Sequence, residues 1–230
     1  MMRQTKIVAT LSDKRSDKTF IQSLYDAGMN VARINTAHIT IDSARGLIQN
    51  IRAVSEKIAI LLDTKGPEIR TCRMQEATAV TQGETITIGF QQENKEVPDV
   101  CVNYRFFAHD CKMGDRILFD DGDIEAVVTG KTEDALLCQV KNSGVIQNNK
   151  SVNVPGVVTN LPTLSEKDKD FIRFAHEQDL DFIAHSFVRN QKDVLEVQEL
   201  LDGLNSPLTI IAKIENLEGV EKIDEILEKA

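Results

Sequence analysis

Five short, almost unbroken apolar segments constrain this chain most: KIVAT (6–10), NVARI (30–34), IAILLD (58–63), DFIAHSF (181–187) and TIIAKI (209–214). Strands covered by helices on both faces need continuous rather than alternating hydrophobicity, so these segments read as buried parallel strands. Within each flanking stretch they begin 24–28 residues apart, which is the length of one right-handed βα unit. Helix-period faces follow them. Phe20, Ile21 and Leu24 share one face, and Ile41, Ala44, Ile48 and Ile51 another. Later come Phe171, Phe174 and Ala175, then Val194, Val197, Leu201 and Leu204, then Val220, Ile223 and Leu227. Ser165 with Asp168 predicts an N-capping pair before the Phe171 helix, and Gly28 a helix stop.

From Thr71 to Asn160 the texture changes. ETITIGF (84–90), IEAVVT (124–129) and ALLCQVK (135–141) carry β character, with Gly83, Gly114, Gly122, Gly130 and Gly144 between the runs. The expected organisation is an α/β domain over 1–70 and 161–230, with an antiparallel barrel or sandwich inserted over 71–160. Five strands could complete a doubly wound sheet, whereas a (β/α)₈ barrel needs eight and about 250 residues. On the barrel reading, three units lie outside these residues.

Charge narrows the function classes. With 27 basic and 36 acidic residues, the net charge is −9, which argues against nucleic-acid and anionic-membrane partners. No apolar run approaches the roughly 18 residues of a membrane span, and the N-terminus does not read as a secretory signal. A cytoplasmic protein is expected. Cys72, Cys101, Cys111 and Cys138 form no CxxC pair and read as reduced, packed thiols rather than a zinc site.

In parallel α/β folds, function sits at the C-terminal ends of the strands. Here the second strand ends in Arg33, Asn35 and His38. The third ends in Asp63, Thr64, Lys65, Gly66, Pro67, Glu68 and Arg70. Ser186 and Arg189 follow the fourth strand, and Lys213, Glu215 and Asn216 end the fifth. Clustered cations suggest an anionic substrate, and Asp63 and Glu215 suggest a hard metal ion. Phosphoryl transfer and enolate chemistry both fit. Taken singly, Asp63 or Glu68 could be a structural ion pair, His38 a surface histidine, Asp120-Asp121-Gly122 a β-turn and Lys150 a solvated lysine.

AGMNVARINTAH (27–38), ILLDTKGPEIR (60–70), KSVNVPG (150–156), LSEKD (164–168) and AKIENLEGV (212–220) closely resemble pyruvate kinases, in order and spacing across the whole chain. The resemblance implies an incomplete (β/α)₈ barrel of five βα units with an inserted β lid. It implies phosphoryl transfer from phosphoenolpyruvate to ADP, giving pyruvate and ATP in glycolysis, with Mg²⁺ or Mn²⁺ and K⁺ as cofactors. Lys213 is similar to the catalytic lysine and Arg33 to the substrate-phosphate contact. Asn35, His38, Arg70 and Lys150 resemble nucleotide-side positions. Glu215 resembles a Mg²⁺ carboxylate, and Asn35, Asp63 and Thr64 a K⁺ site. Glu68 resembles the form associated with K⁺ dependence. The full-length protein is expected to be a homo-oligomer, a tetramer.

The chain also departs from the family pattern. Ala37 stands where a serine oxygen ligand is usual, which implies altered K⁺ binding. Ser12-Asp13-Lys14-Arg15-Ser16 replaces a Gly-Pro-Ala-Ser-like loop, and Ser151 replaces a glycine beside Lys150. The resemblance implies a second Mg²⁺ carboxylate on a sixth strand beyond Ala230, so the 230-residue chain alone is expected to be inactive. The competing readings are a Mg²⁺-dependent enolate-forming lyase, a non-catalytic truncated product that associates with full-length subunits, and a folded lid beside a molten barrel half.

Overall fold

A computed structural model of the chain describes residues 5–92 and 96–230. The chain divides into two compact units, one up to Pro67 and again from Pro162 to Ala230, the other Glu68–Leu161. The first unit begins with β1 (Val8–Leu11), α1 (Lys18–Asp26), β2 (Val31–Asn35), α2 (Ile41–Val54) and β3 (Ala59–Thr64). The second unit carries β4 (Thr78–Val80), β5 (Thr85–Gly89), β6 (Val100–Cys101) and the one-turn helix α3 (Phe107–Asp110). It continues with β7 (Arg116–Phe119), β8 (Ile124–Lys131), β9 (Ala135–Val140), β10 (Gly144–Ile146) and β11 (Val152–Asn153). The first unit then resumes with α4 (Glu166–Glu177), β12 (Phe182–His185), α5 (Gln191–Gly203), β13 (Thr209–Ala212), α6 (Leu217–Glu221) and α7 (Ile223–Leu227).

Among the described residues, the first unit's sheet has five parallel strands in the order β1-β2-β3-β12-β13. A doubly wound sheet reverses its strand order at a switch point. This order runs one way throughout, as it does around a barrel. Ile34, Ile60, Leu62 and Ile183 are fully buried in one core with Ala44, Leu47 and Ile51 of α2 and Val194 and Val197 of α5. Arg33, Leu61 and Asp63 alternate with these core residues, so they lie on the opposite face of the sheet.

The starts of α1, α2, α4, α5 and α6 are capped by short polar side chains. Asp17, Thr40, Asn190 and Asn216 accept from backbone N–H groups, and Ser165 and Asp168 form a reciprocal capping box. Gly28, at φ 103°, follows the end of α1 as the sequence predicts.

The chain's last helical stretch differs from expectation. It breaks at Lys222, with φ −107° and ψ 22°, into α6 and α7. Val220 and Leu227 are exposed and Ile226 is buried. The break shifts the helical phase, so the Val220–Ile223–Leu227 stripe is not the buried face.

The second unit's larger sheet runs β11-β7-β8-β9-β5-β6, antiparallel except where β5 pairs parallel with β6; β10 and β4 form a separate antiparallel ladder. The expectation was of antiparallel pairing alone. Phe107, Ile117, Phe119, Ile88 and Cys138 are buried at its centre. Gly130 sits inside β8 at a register shift rather than between strands. No helix among the described residues is long and apolar enough to cross a membrane.

Candidate active site

β2 and β3 pair in parallel with Asn35 opposite Asp63, which brings the polar residues that end both strands side by side. The Asp63 carboxylate is only 2% exposed. Its Oδ2 accepts from Arg33 Nε at 2.6 Å, and its Oδ1 accepts from Ser186 Oγ at 3.0 Å and Lys213 Nζ at 3.1 Å. Arg33 also donates to Thr10 Oγ1 at 2.9 Å. Asp63 is thus a buried ion-pair anchor for two cations. The cations themselves are accessible, with side-chain exposures of 33% for Arg33 and 28% for Lys213. Such a pair can meet an anionic ligand while its counter-ion stays buried. Glu215 is exposed, and its Oε1 lies 3.3 Å from Lys213 Nζ.

The loop after β3 is fixed by close backbone packing. Gly66 has φ +67°, and a Cβ there would lie 2.1 Å from the Ser186 carbonyl oxygen. Lys65 N–H donates to Asp168 Oδ1 at 3.1 Å, which ties this loop to the start of α4. Thr64 Oγ1 lies 2.9 Å from His185 Nδ1. His185 Nε2 is buried without a hydrogen-bond partner in the described structure. Burial pushes the His185 pKa below the ordinary histidine value.

After β12 the chain takes a sharp turn. Phe187 adopts φ 56° and donates its N–H to Glu215 Oε2 at 3.1 Å. Asn216 Nδ2 donates to the Phe187 and Val188 carbonyls, both at 3.1 Å, while its Oδ1 caps α6. A left-handed backbone on a bulky residue stores strain, held here by these side chains.

Of the other sequence-derived candidates, Asn35 and His38 also belong to the first unit. Asn35 Oδ1 accepts from Ala37 N–H at 2.9 Å and caps a 3₁₀ turn over Thr36–His38, whose His38 is exposed. Arg70 and Lys150 belong to the second unit. There Arg70 Nε donates to Glu68 Oε2 at 2.7 Å, and Lys150 Nζ to Asp120 Oδ2 at 2.5 Å. Lys150 is therefore ion-paired rather than simply solvated. Ser151 Oγ donates to Asp121 Oδ1 at 3.0 Å, in a turn where Asp120 and Asp121 have φ 49° and 57°.

No group of three or more His, Cys, Asp or Glu among the described residues is placed to hold a metal ion. Asn35, Asp63 and Thr64 end adjacent strands and carry oxygen donors, and Glu215 follows β13.

A family model described as the pyruvate kinase barrel domain matches residues 2–230. The chain belongs to the pyruvate kinase family. It is 45% identical over 223 residues to a pyruvate kinase of Borreliella burgdorferi, covering 96% of this chain and 46% of that protein. It is 40% identical over 234 residues to a pyruvate kinase of Staphylococcus aureus, covering 99% of this chain and 40% of that protein. The chain spans less than half the length of these curated relatives.

Within this pyruvate kinase barrel-domain chain, Ser186 and Asn216 were visible in the sequence only as polar residues after a strand. Their contacts with Lys213 and with the Phe187 turn could not be read there. His185 and Gly66 gave no signal of their pairing and close approach.

Proposed function

We propose that the protein carrying this chain transfers the phosphoryl group of phosphoenolpyruvate to ADP, giving pyruvate and ATP. In this reading the first unit is five βα units of a (β/α)₈ barrel and the second is its inserted lid. The observation that carries it is the pairing of accessible Arg33 and Lys213 on buried Asp63, in a member of the pyruvate kinase family. Phosphoryl transfer asks the protein mainly for positioning and charge neutralisation, and two cations held on one buried anchor supply both.

Arg33 binds the substrate phosphate with its guanidinium, oriented by Asp63 and Thr10. Lys213 places its ammonium where negative charge develops as the phosphoryl group leaves and the enolate forms. Asn35, His38, Arg70 and Lys150 serve the nucleotide.

The implied cations would draw on oxygens at these strand ends. Glu215 offers an exposed carboxylate for Mg²⁺ or Mn²⁺, while Asn35, Asp63 and Thr64 offer oxygens on adjacent strand ends for K⁺. Bound there, these ions supply further neutralisation of phosphoryl charge. The working protein is a cytoplasmic homotetramer.

The test is ADP-dependent pyruvate formation by the natural protein that carries this chain. Lys213→Met is expected to reduce it about 10²–10³-fold. Turnover without ADP, by carbon–carbon cleavage, would sink the proposal in favour of a lyase.

A further inference from the structure

We infer that Ser186 is a positioning residue that fixes the direction of the Lys213 ammonium; this rests on the phosphoryl-transfer reading above. An ammonium has three protons to place. Those of Lys213 meet Ser186 Oγ at 2.8 Å, Asp63 Oδ1 at 3.1 Å and Glu215 Oε1 at 3.3 Å. Ser186 makes the shortest of these contacts and is only 5% exposed. Glu215 is exposed, so the buried Ser186 and Asp63 oxygens are the acceptors that solvent cannot replace.

The serine hydroxyl is itself oriented. It has one proton, with the Thr64 carbonyl at 2.7 Å and Asp63 Oδ1 at 3.0 Å to receive it. Either choice leaves an oxygen lone pair for Lys213. Alanine offers no acceptor, and threonine keeps one.

The backbone around Ser186 is built for this placement. Gly66 admits the Ser186 carbonyl to a distance that any Cβ would forbid. On the other side, Phe187 turns the chain at φ 56°, and Asn216 holds the turn through the Phe187 and Val188 carbonyls. Two unusual backbone positions thus flank one buried hydroxyl, and the group that hydroxyl contacts is the lysine. A structural serine at a strand end would need only the Thr64 carbonyl.

The test compares Ser186→Ala and Ser186→Thr in the natural protein that carries this chain. Ser186→Ala is expected to lower kcat about 10- to 100-fold while the KM for phosphoenolpyruvate changes much less. Ser186→Thr is expected to restore most of the loss. A crystal structure of Ser186→Ala is expected to find Lys213 Nζ displaced by about 1 Å or more, enough to matter for a positioned group.

Unchanged kcat in Ser186→Ala, or Lys213 left in place there, overturns the inference. So does an equal loss in both variants, which is the mark of a packing role. The crystallographic readout needs no turnover. A wild-type protein that makes no pyruvate from phosphoenolpyruvate therefore sinks the kinase reading alone.

Discussion

Asp63 sets what Arg33 and Lys213 can do. A carboxylate that is 2% exposed and shared by two cations is worth little as an isolated stabiliser, yet removing it leaves both cations without their anchor. Asp63→Ala is expected to destabilise the first unit by about 3 kcal/mol in denaturant unfolding. It is also expected to abolish most pyruvate formation. Wild-type stability in that variant would mean that solvent already screens the pair.

Ala37 makes a second prediction at this scale. Its N–H serves Asn35 Oδ1, and its side chain offers no oxygen. Ala37→Ser is therefore expected to lower the K⁺ concentration for half-maximal activity several-fold, read by K⁺ titration. An unchanged titration would remove residue 37 from the cation site. Arg33, Asp63 and Lys213 were legible in the sequence because charged residues gather together at the ends of several apolar strands. Ser186 was visible only as a polar residue after a strand, since an uncharged hydroxyl carries no signal of its partners.

At the scale of elements, the loop after β3 depends on two contacts that its own sequence does not reveal. Gly66→Ala must change either its φ of +67° or its 2.1 Å approach to the Ser186 carbonyl oxygen. A loss of about 2–3 kcal/mol is expected in unfolding measurements, with weakened activity through displaced Ser186. Asp168 caps α4 through Ser165 and also receives Lys65 N–H. Asp168→Ala is expected to cost about 2–3 kcal/mol, more than the roughly 1 kcal/mol typical of a cap alone, and a loss of only about 1 kcal/mol would mean that the Lys65 contact contributes nothing.

The capping pair itself was readable, because both of its partners lie within one helical turn. The break between α6 and α7 was not. The Val220–Ile223–Leu227 spacing suits one continuous helix, but the kink at Lys222 puts Ile226 into the core instead.

For the whole molecule, the two units offer separate handles on stability. In the first unit, burial raises the Asp193 pKa, but hydrogen bonds from Arg189 and Thr163 outweigh it and leave the group below the ordinary carboxylate range. A depressed folded pKa gives stability that is present above the unfolded value of about 3.9 and lost as pH falls through the folded one. Asp193→Asn is expected to flatten the fall of Tm with pH below about 4. An identical slope would assign the acid sensitivity elsewhere. In the second unit, burial pushes the thiols of Cys111 and Cys138 up to about 12. Both are expected to resist alkylation at pH 8 until that unit unfolds, and fast labelling of native protein would contradict their burial.

The sequence by itself determined the βα rhythm, the β-rich stretch in the middle and the charged strand ends, because those follow from local periodicity and from the cost of burying charge. The motif strings carried the family. Only the tertiary structure decided that the strand order runs without reversal and that one carboxylate holds two cations. It alone brought Ser186, Gly66 and Phe187 together beside Lys213. Those facts depend on residues up to 150 positions apart meeting at one rim, and no local propensity encodes such a meeting.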